Sequence, residues 1–103
     1  MKINTYNVFF KNLANPLKID IILLLRKKEK SVSELSKSLK VEQSKISHAL
    51  TSLKCCNIVK VKKKGKQRIY FLNKNTIIPM LKLIDKHSKT FCKEICSCTG
   101  CKR

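Results

Sequence analysis

This 103-residue chain is poor in glycine, in acidic side chains and in long apolar runs. Its two glycines, Gly65 and Gly100, form no phosphate-cradling loop, and no Cys–His pairing suggests a nucleophile with its base, so the sequence argues against an enzyme. Only six acids stand against 24 lysines and arginines, a formal charge of +18. Such a surface repels itself and attracts polyanions over a screening length of about 8 Å at physiological salt, which makes nucleic acid the first partner to expect. The most apolar stretch, IDIILLL at 19–25, is seven residues interrupted by Asp20. It is too short to cross a bilayer, and no secretion signal with a cleavage site is recognised. The cations are spread along the chain rather than gathered on one amphipathic helix, which disfavours a membrane surface. A reducing cytoplasm is therefore expected, where six cysteines serve metal or redox chemistry more naturally than structural disulfides.

What the chain does have is clear periodicity. Tyr6, Phe9, Phe10 and Leu13 recur at helical spacing. The Asn15-Pro16 pair then offers an N-cap and a first helical residue for a second helix, with Leu17, Ile21, Leu24 and Leu25 on one face. That helix dissolves into the polar RKKEK. In SVSE, Ser31 and Glu34 form a capping box that starts a third, short helix with Val32, Leu35 and Leu39 inward. After a tight break at KVEQ, a fourth helix turns Ile46, Ala49, Leu50 and Leu53 to the core. Gln43, Ser44, Lys45, Ser47 and His48 lie on or near its other side.

Two short helices joined by a tight turn, the second presenting small polar and basic groups, describe a helix-turn-helix. A recognition helix enters a major groove about 12 Å wide, so its exposed half needs short hydrogen-bonding side chains rather than bulk. Beyond it, NIVKVKKKGKQRIYFLN changes to a period of two around Gly65, a hairpin with Lys62, Lys63, Lys64, Lys66 and Arg68 at its tip. Such a cationic wing grips the phosphate backbone of double-stranded DNA. A last helix starts near Thr76 and tolerates Pro79 in its first turn. The expected fold is mainly α with a β-hairpin, a winged helix-turn-helix of order α-α-α-α-β-β-α. Residues 1–91 form the DNA-binding and dimerisation domain, and 92–103 a cysteine-rich tail.

Over roughly residues 8–73 the chain resembles the ArsR/SmtB family of metal-responsive repressors. The resemblance rests on LANPLKIDIILLL, SELSKSL, QSKISHALTSLK and GKQRIYFL. It implies a homodimer through the first and last helices, two recognition helices in successive major grooves, and release of the operator when a metal binds. The sequence departs from family habit at several points. Glu42 stands where Ser or Thr often opens the recognition helix, and Ala49 where His is common. Ser31 and Ser33 replace both thiols of a common site on the first motif helix, and a neutral hydroxyl is a poor ligand for a soft metal. Asp85 and His87 resemble a second family site, but they lie about ten residues too late, and the expected places hold Asn75 and Ile77. In a third arrangement, recognition-helix cysteines combine with C-terminal ones across the dimer; Cys56 falls on one such position and Ser52 on the other.

The tail carries chemistry of its own. Cys92, Cys96, Cys98 and Cys101 fall within ten positions. If the last helix continues to about residue 96, Cys92 and Cys96 share a face, and Gly100 lets the chain fold back to bring Cys98 and Cys101 alongside. Thiolates in a basic setting suit a thiophilic metal or metalloid: Zn, Cd, Pb, Cu(I) or As(III). The reading is a DNA-binding repressor released by such an ion at Cys92, Cys96, Cys98 and Cys101, with Cys56. The alternative is a metal-independent or architectural DNA-binding protein whose cysteines form a structural zinc clip or a redox switch. Of the remaining side chains, one of Cys55 and Cys56 is expected to pack under the wing as a small hydrophobe.

Overall fold

The computed structural model describes residues 3–92 and divides the chain into two compact units, residues 1–73 and 74–103. The first contains α1 (Ile3–Ala14), α2 (Pro16–Lys27), β1 (Lys30–Ser31), α3 (Val32–Leu39), α4 (Gln43–Cys55), β2 (Val59–Lys64) and β3 (Gln67–Leu72). The second contains α5 (Ile77–His87), followed by a π-helical turn over Ser88–Cys92. The expected order holds, with one addition: the two-residue strand β1.

Local chemistry explains the boundaries. The Asn15 side chain accepts from the Lys18 amide and Pro16 occupies the first turn of α2, so the chain breaks at residue 15 and restarts at once. The capping box is complete. The Glu34 amide donates to Ser31 Oγ at 3.2 Å, and the Ser31 amide donates to Glu34 Oε1 at 2.9 Å. That backbone hydrogen bond lowers the Glu34 pKa; the Ser31 hydroxyl and the charges of Lys30 and Lys28 act the same way, against a smaller opposing effect of desolvation. Between α3 and α4, Lys40 adopts the left-handed conformation at φ 57° and ψ 44°, while the Ser36 hydroxyl donates to the Val41 carbonyl.

The apolar core of the first unit is built by α2, α3, α4 and the strands. Ile21, Ile22 and Leu25 of α2 meet Leu35 of α3, and Ile46, Ala49, Leu50 and Leu53 of α4 are buried with Ile58, Val59, Ile69 and Leu72. Each large aliphatic side chain buried there contributes roughly 1.5–3 kcal/mol. The inward face of α4 is the one its periodicity predicts. The sheet order is β1-β3-β2, all antiparallel, with Ser31 opposite Ile69 and Lys64 opposite Gln67. Gly65 and Lys66 form the wing's two-residue connection, and Gly65 supplies the positive φ of +66° that a tight hairpin needs at its first loop position.

Helix α5 begins at Ile77 with Pro79 in its first turn, where a missing N–H costs nothing. Its α-helical hydrogen bonding stops at His87, and the backbone widens into the π turn. The helix thus runs on through Phe91 to Cys92, in π rather than α form. The proposed positions of Cys96, Cys98 and Cys101 lie outside the described residues.

Candidate nucleic-acid interface

Four buried side chains, Ile46, Ala49, Leu50 and Leu53, fix α4 in rotation. Its opposite face is therefore set: Gln43, Ser44, Lys45, Ser47 and His48 are all exposed. Gln43 Nε2 donates to Ser33 Oγ at 3.4 Å, a long contact that ties the start of α4 to α3. Between this face and the start of α2 lies an open cleft of about 470 Å³ whose lining includes Lys18, Ser44, Lys45 and His48. Cationic and hydroxyl groups around a concave surface suit phosphate oxygens and base edges.

The wing is built by the opposite logic. Lys63 stands directly across the ladder from Arg68, a like-charge pair that is destabilising until an anion lies between its members. Lys63, Lys64, Lys66 and Arg68 are exposed at the hairpin's end. Lys62 is placed differently from the other wing lysines. Its Nζ lies 2.8 Å from Glu29 Oε2 and 5.5 Å from the centroid of the Phe71 ring. Glu29 immediately precedes β1, whose Lys30 pairs with Tyr70 of β3, so the short strand carries the carboxylate to the wing's base. Sequence reasoning missed both the strand and this pairing.

It also missed a polar network under α4. Asn12 of α1 is buried, with 3% of its surface exposed. Lys18 Nζ donates to Asn12 Oδ1 at 2.7 Å and to Ser52 Oγ at 3.1 Å, and Ser52 Oγ donates to Asn12 Oδ1 at 2.8 Å. Asn12 Nδ2 donates to Cys56 Sγ at 2.9 Å. An ammonium only donates, so the amide oxygen must face Lys18 and the NH₂ group must face the sulfur. The half-buried Cys56 thiol is thereby held as an acceptor against α1, while Cys55 beside it is exposed.

Among the described residues, no three His, Cys, Asp or Glu side chains come together as a metal-binding group. Likewise, no helix among them is long and apolar enough to cross a membrane.

Comparison with known proteins places this architecture. Residues 15–61 match the family described as bacterial regulatory protein, arsR family. The chain is 29% identical over 79 residues to the transcriptional repressor SmtB homolog of a Synechocystis species, an alignment covering 77% of this chain and 60% of that protein. It is 34% identical over 79 residues to the HTH-type transcriptional regulator Rv0081 of Mycobacterium tuberculosis, covering 76% of this chain and 69% of the relative. The chain belongs to the ArsR/SmtB family. The crystal structure of Rv0081 superposes with a TM-score of 0.77 at 29% identity, over 86% of this chain and 90% of that one. The homodimeric winged helix-turn-helix domain of Mb0332 from Mycobacterium bovis, at 18% identity, shares the fold with a TM-score of 0.80 over 89% of this chain and 85% of that one. The ArsR/SmtB relatives are transcriptional regulators rather than enzymes.

Ser31 is the N-cap of α3 and Ser33 accepts from Gln43, so both hydroxyls have local partners. Ser52 is part of the Lys18–Asn12 network.

Proposed function

We propose that the chain is a sequence-specific DNA-binding transcriptional repressor. The carrying observation is the outward face of α4, where Ser44, Lys45, Ser47 and His48 are exposed above a fully buried inner face. In this reading these four approach base edges or flanking phosphates, with Gln43 at the start of the same helix. Lys63, Lys64, Lys66 and Arg68 neutralise the backbone, and Lys62 joins them once it leaves Glu29. A homodimer through the first and last helices is supported by their exposed apolar side chains: Tyr6, Val8 and Phe10 on α1, and Leu83 and Ile84 on α5.

The effector in this reading is a thiophilic metal or metalloid ion. The donor set fits: four cysteines within ten residues and Cys56 supply soft thiolates in a strongly basic chain. Cys92, Cys96, Cys98 and Cys101, with Cys56, would hold the ion, whose contribution is to bind several sulfurs at once. A cytoplasmic location accords with this need for reduced thiols.

The test is fluorescence anisotropy of the reduced protein on a duplex from its own upstream region, titrated with Zn²⁺, Cd²⁺, Pb²⁺, Cu⁺ and arsenite. A tenfold loss of affinity with one ion, a coupling of about 1.4 kcal/mol, supports the sensor. Metal binding with no change in DNA affinity leaves the cysteines as a structural clip and removes the effector role.

A further inference from the structure

Lys18, in the first turn of α2, forms part of the wall of the cationic cleft beside α4, and the groups that hold it are neutral. Its Nζ donates to Asn12 Oδ1 at 2.7 Å and to Ser52 Oγ at 3.1 Å. Among the described residues no carboxylate pairs with it. An ammonium carries three N–H donors, so one remains. The two acceptors thus fix the position of the charge and leave it unneutralised, unlike that of Lys62, whose ammonium lies 2.8 Å from a Glu29 carboxylate oxygen. The anchor itself is buried: Asn12 is 3% exposed, and its amide oxygen also accepts from Ser52 of α4 at 2.8 Å. The Lys18 charge is therefore held in register with α4 rather than swinging on its own stem.

From this geometry we infer that the cleft is a seat for one backbone phosphate of bound DNA, with Lys18 as its prepositioned donor and Lys45 as the second cation, from α4. The inference rests on the DNA-binding reading and extends it to α2, which that reading leaves out of the interface. The ligand chemistry is a phosphate anion, and the surroundings favour the duplex as its source. Ser44, Lys45 and His48 belong both to the cleft and to the outward face of α4, so a phosphate beside Lys18 flanks the bases that this face would reach. The lining contains no Phe, Tyr or Trp on which the base of a free nucleotide would stack. A lysine that is already immobilised also loses little further side-chain freedom on binding.

Phosphate contacts orient a protein on the duplex without reading its sequence. Here the contact would be tied through Asn12 and Ser52 to the helix that does the reading, so Lys18 would set how α4 lies against the backbone. A slide of α1 or α2 along α4 would then dismantle the seat.

The experiment uses the reduced full chain and a set of duplexes of one bound sequence, each with a single backbone phosphate made neutral as a methylphosphonate. For the wild-type protein, neutralising the seated phosphate should weaken binding at least about fivefold, and for Lys18→Met the same replacement should cost less than about twofold. Lys18→Met should also reduce the slope of log affinity against log salt by about 0.9. A lysine that only braces α1, α2 and α4 would show no such coupling. If each neutral phosphate costs Lys18→Met as much as it costs the wild type, the seat is overturned and the DNA-binding reading stands. A second measurement needs no variant, in case Lys18→Met does not fold. The wild-type protein is acetylated with an N-hydroxysuccinimide ester, and modified lysines are located by peptide mass spectrometry. Acetylation of Lys18 should slow when duplex is bound, and an unchanged rate overturns the seat. A melting temperature raised by inorganic phosphate in the wild type alone, without coupling on DNA, would assign the cleft to a free anion and likewise overturn it. Failure of the wild-type protein to bind any duplex sinks the DNA-binding reading and the seat with it.

Discussion

Helix α4 and the β2–β3 wing, the two halves of the proposed DNA interface, are built in opposite ways. The helix is held by Ile46, Ala49, Leu50 and Leu53 at its back and presents mostly small groups, with Lys45 the one lysine among Ser44, Ser47 and His48. The wing has little behind its tip and sets Lys63 directly across the ladder from Arg68. Rigid backing with modest charge suits discrimination between bases, and clustered charge on a hairpin suits strength without discrimination. If that division holds, changes to one half should alter which duplex is bound, and changes to the other should alter how tightly any duplex is bound.

The comparison is broken most severely by removing the helix's backing. Leu50→Ala takes a fully buried side chain out of α4's inner face and should cost about 3 kcal/mol in urea unfolding, with binding lost wherever the helix no longer docks. Next in size is the wing. Replacing Lys63, Lys64 and Lys66 together by alanine should weaken specific and random duplexes alike, and reduce the slope of log affinity against log salt by about 2 to 3. Unchanged salt dependence would remove the wing from the interface.

A smaller, more selective effect is expected on the helix. Ser47→Ala or His48→Ala should cost about 1–3 kcal/mol on the preferred site and much less on random duplex, measured as a ratio of the two affinities. Smaller still is the effect of Glu29→Gln, which releases Lys62 from its 2.8 Å ion pair. Affinity for all duplexes should rise by less than about tenfold, and the salt slope should steepen by up to about 0.9. A fall in affinity would mean that Glu29 serves DNA binding by positioning the wing.

The last prediction concerns the frame on which α4 rests. The carboxyl of Glu34 is held below its ordinary pKa, chiefly by the Ser31 amide. A lowered folded-state pKa contributes stability that is present above the unfolded value, about 4.3, and is lost as pH falls through the folded value. The urea midpoint should therefore drop on acidification below about pH 4.3, and Glu34→Gln should flatten that limb.

How much of this was legible beforehand follows from the range of the interactions. The caps at Asn15 and Ser31, the inner face of α4 and the turn at Gly65 depend on residues within four or five positions, and the sequence shows them directly. Strand β1 did not announce itself, because two residues carry no period. The Glu29–Lys62 pair and the Asn12–Ser52–Cys56 contacts join positions more than thirty apart, and no local pattern encodes them. The exposure of the cationic and hydroxyl residues on α4 and the wing follows the expected faces, while the partner that restrains Lys62 was not foreseen. The expectation that a thiol packs under the wing gave no hint of Asn12, because a buried amide that fixes a sulfur comes from α1, far away in the chain. The π turn that carries the last helix from Ser88 to Cys92 was not foreseen, because a change from α to π hydrogen bonding leaves the apolar spacing nearly intact.

One residue in the turn between α3 and α4 bears on how any regulation must work. Lys40 sits at φ 57°, in a narrow well for a residue with a side chain, where glycine would wander across a broad one. The joint between the two helices is accordingly a stiff bracket rather than a hinge. The effector of the proposed reading would therefore have little to gain by folding α3 and α4 against each other. It has to tilt or shift the bracket as a single part, and the places where that part is fastened to α1 and α2 are where a signal acquires leverage.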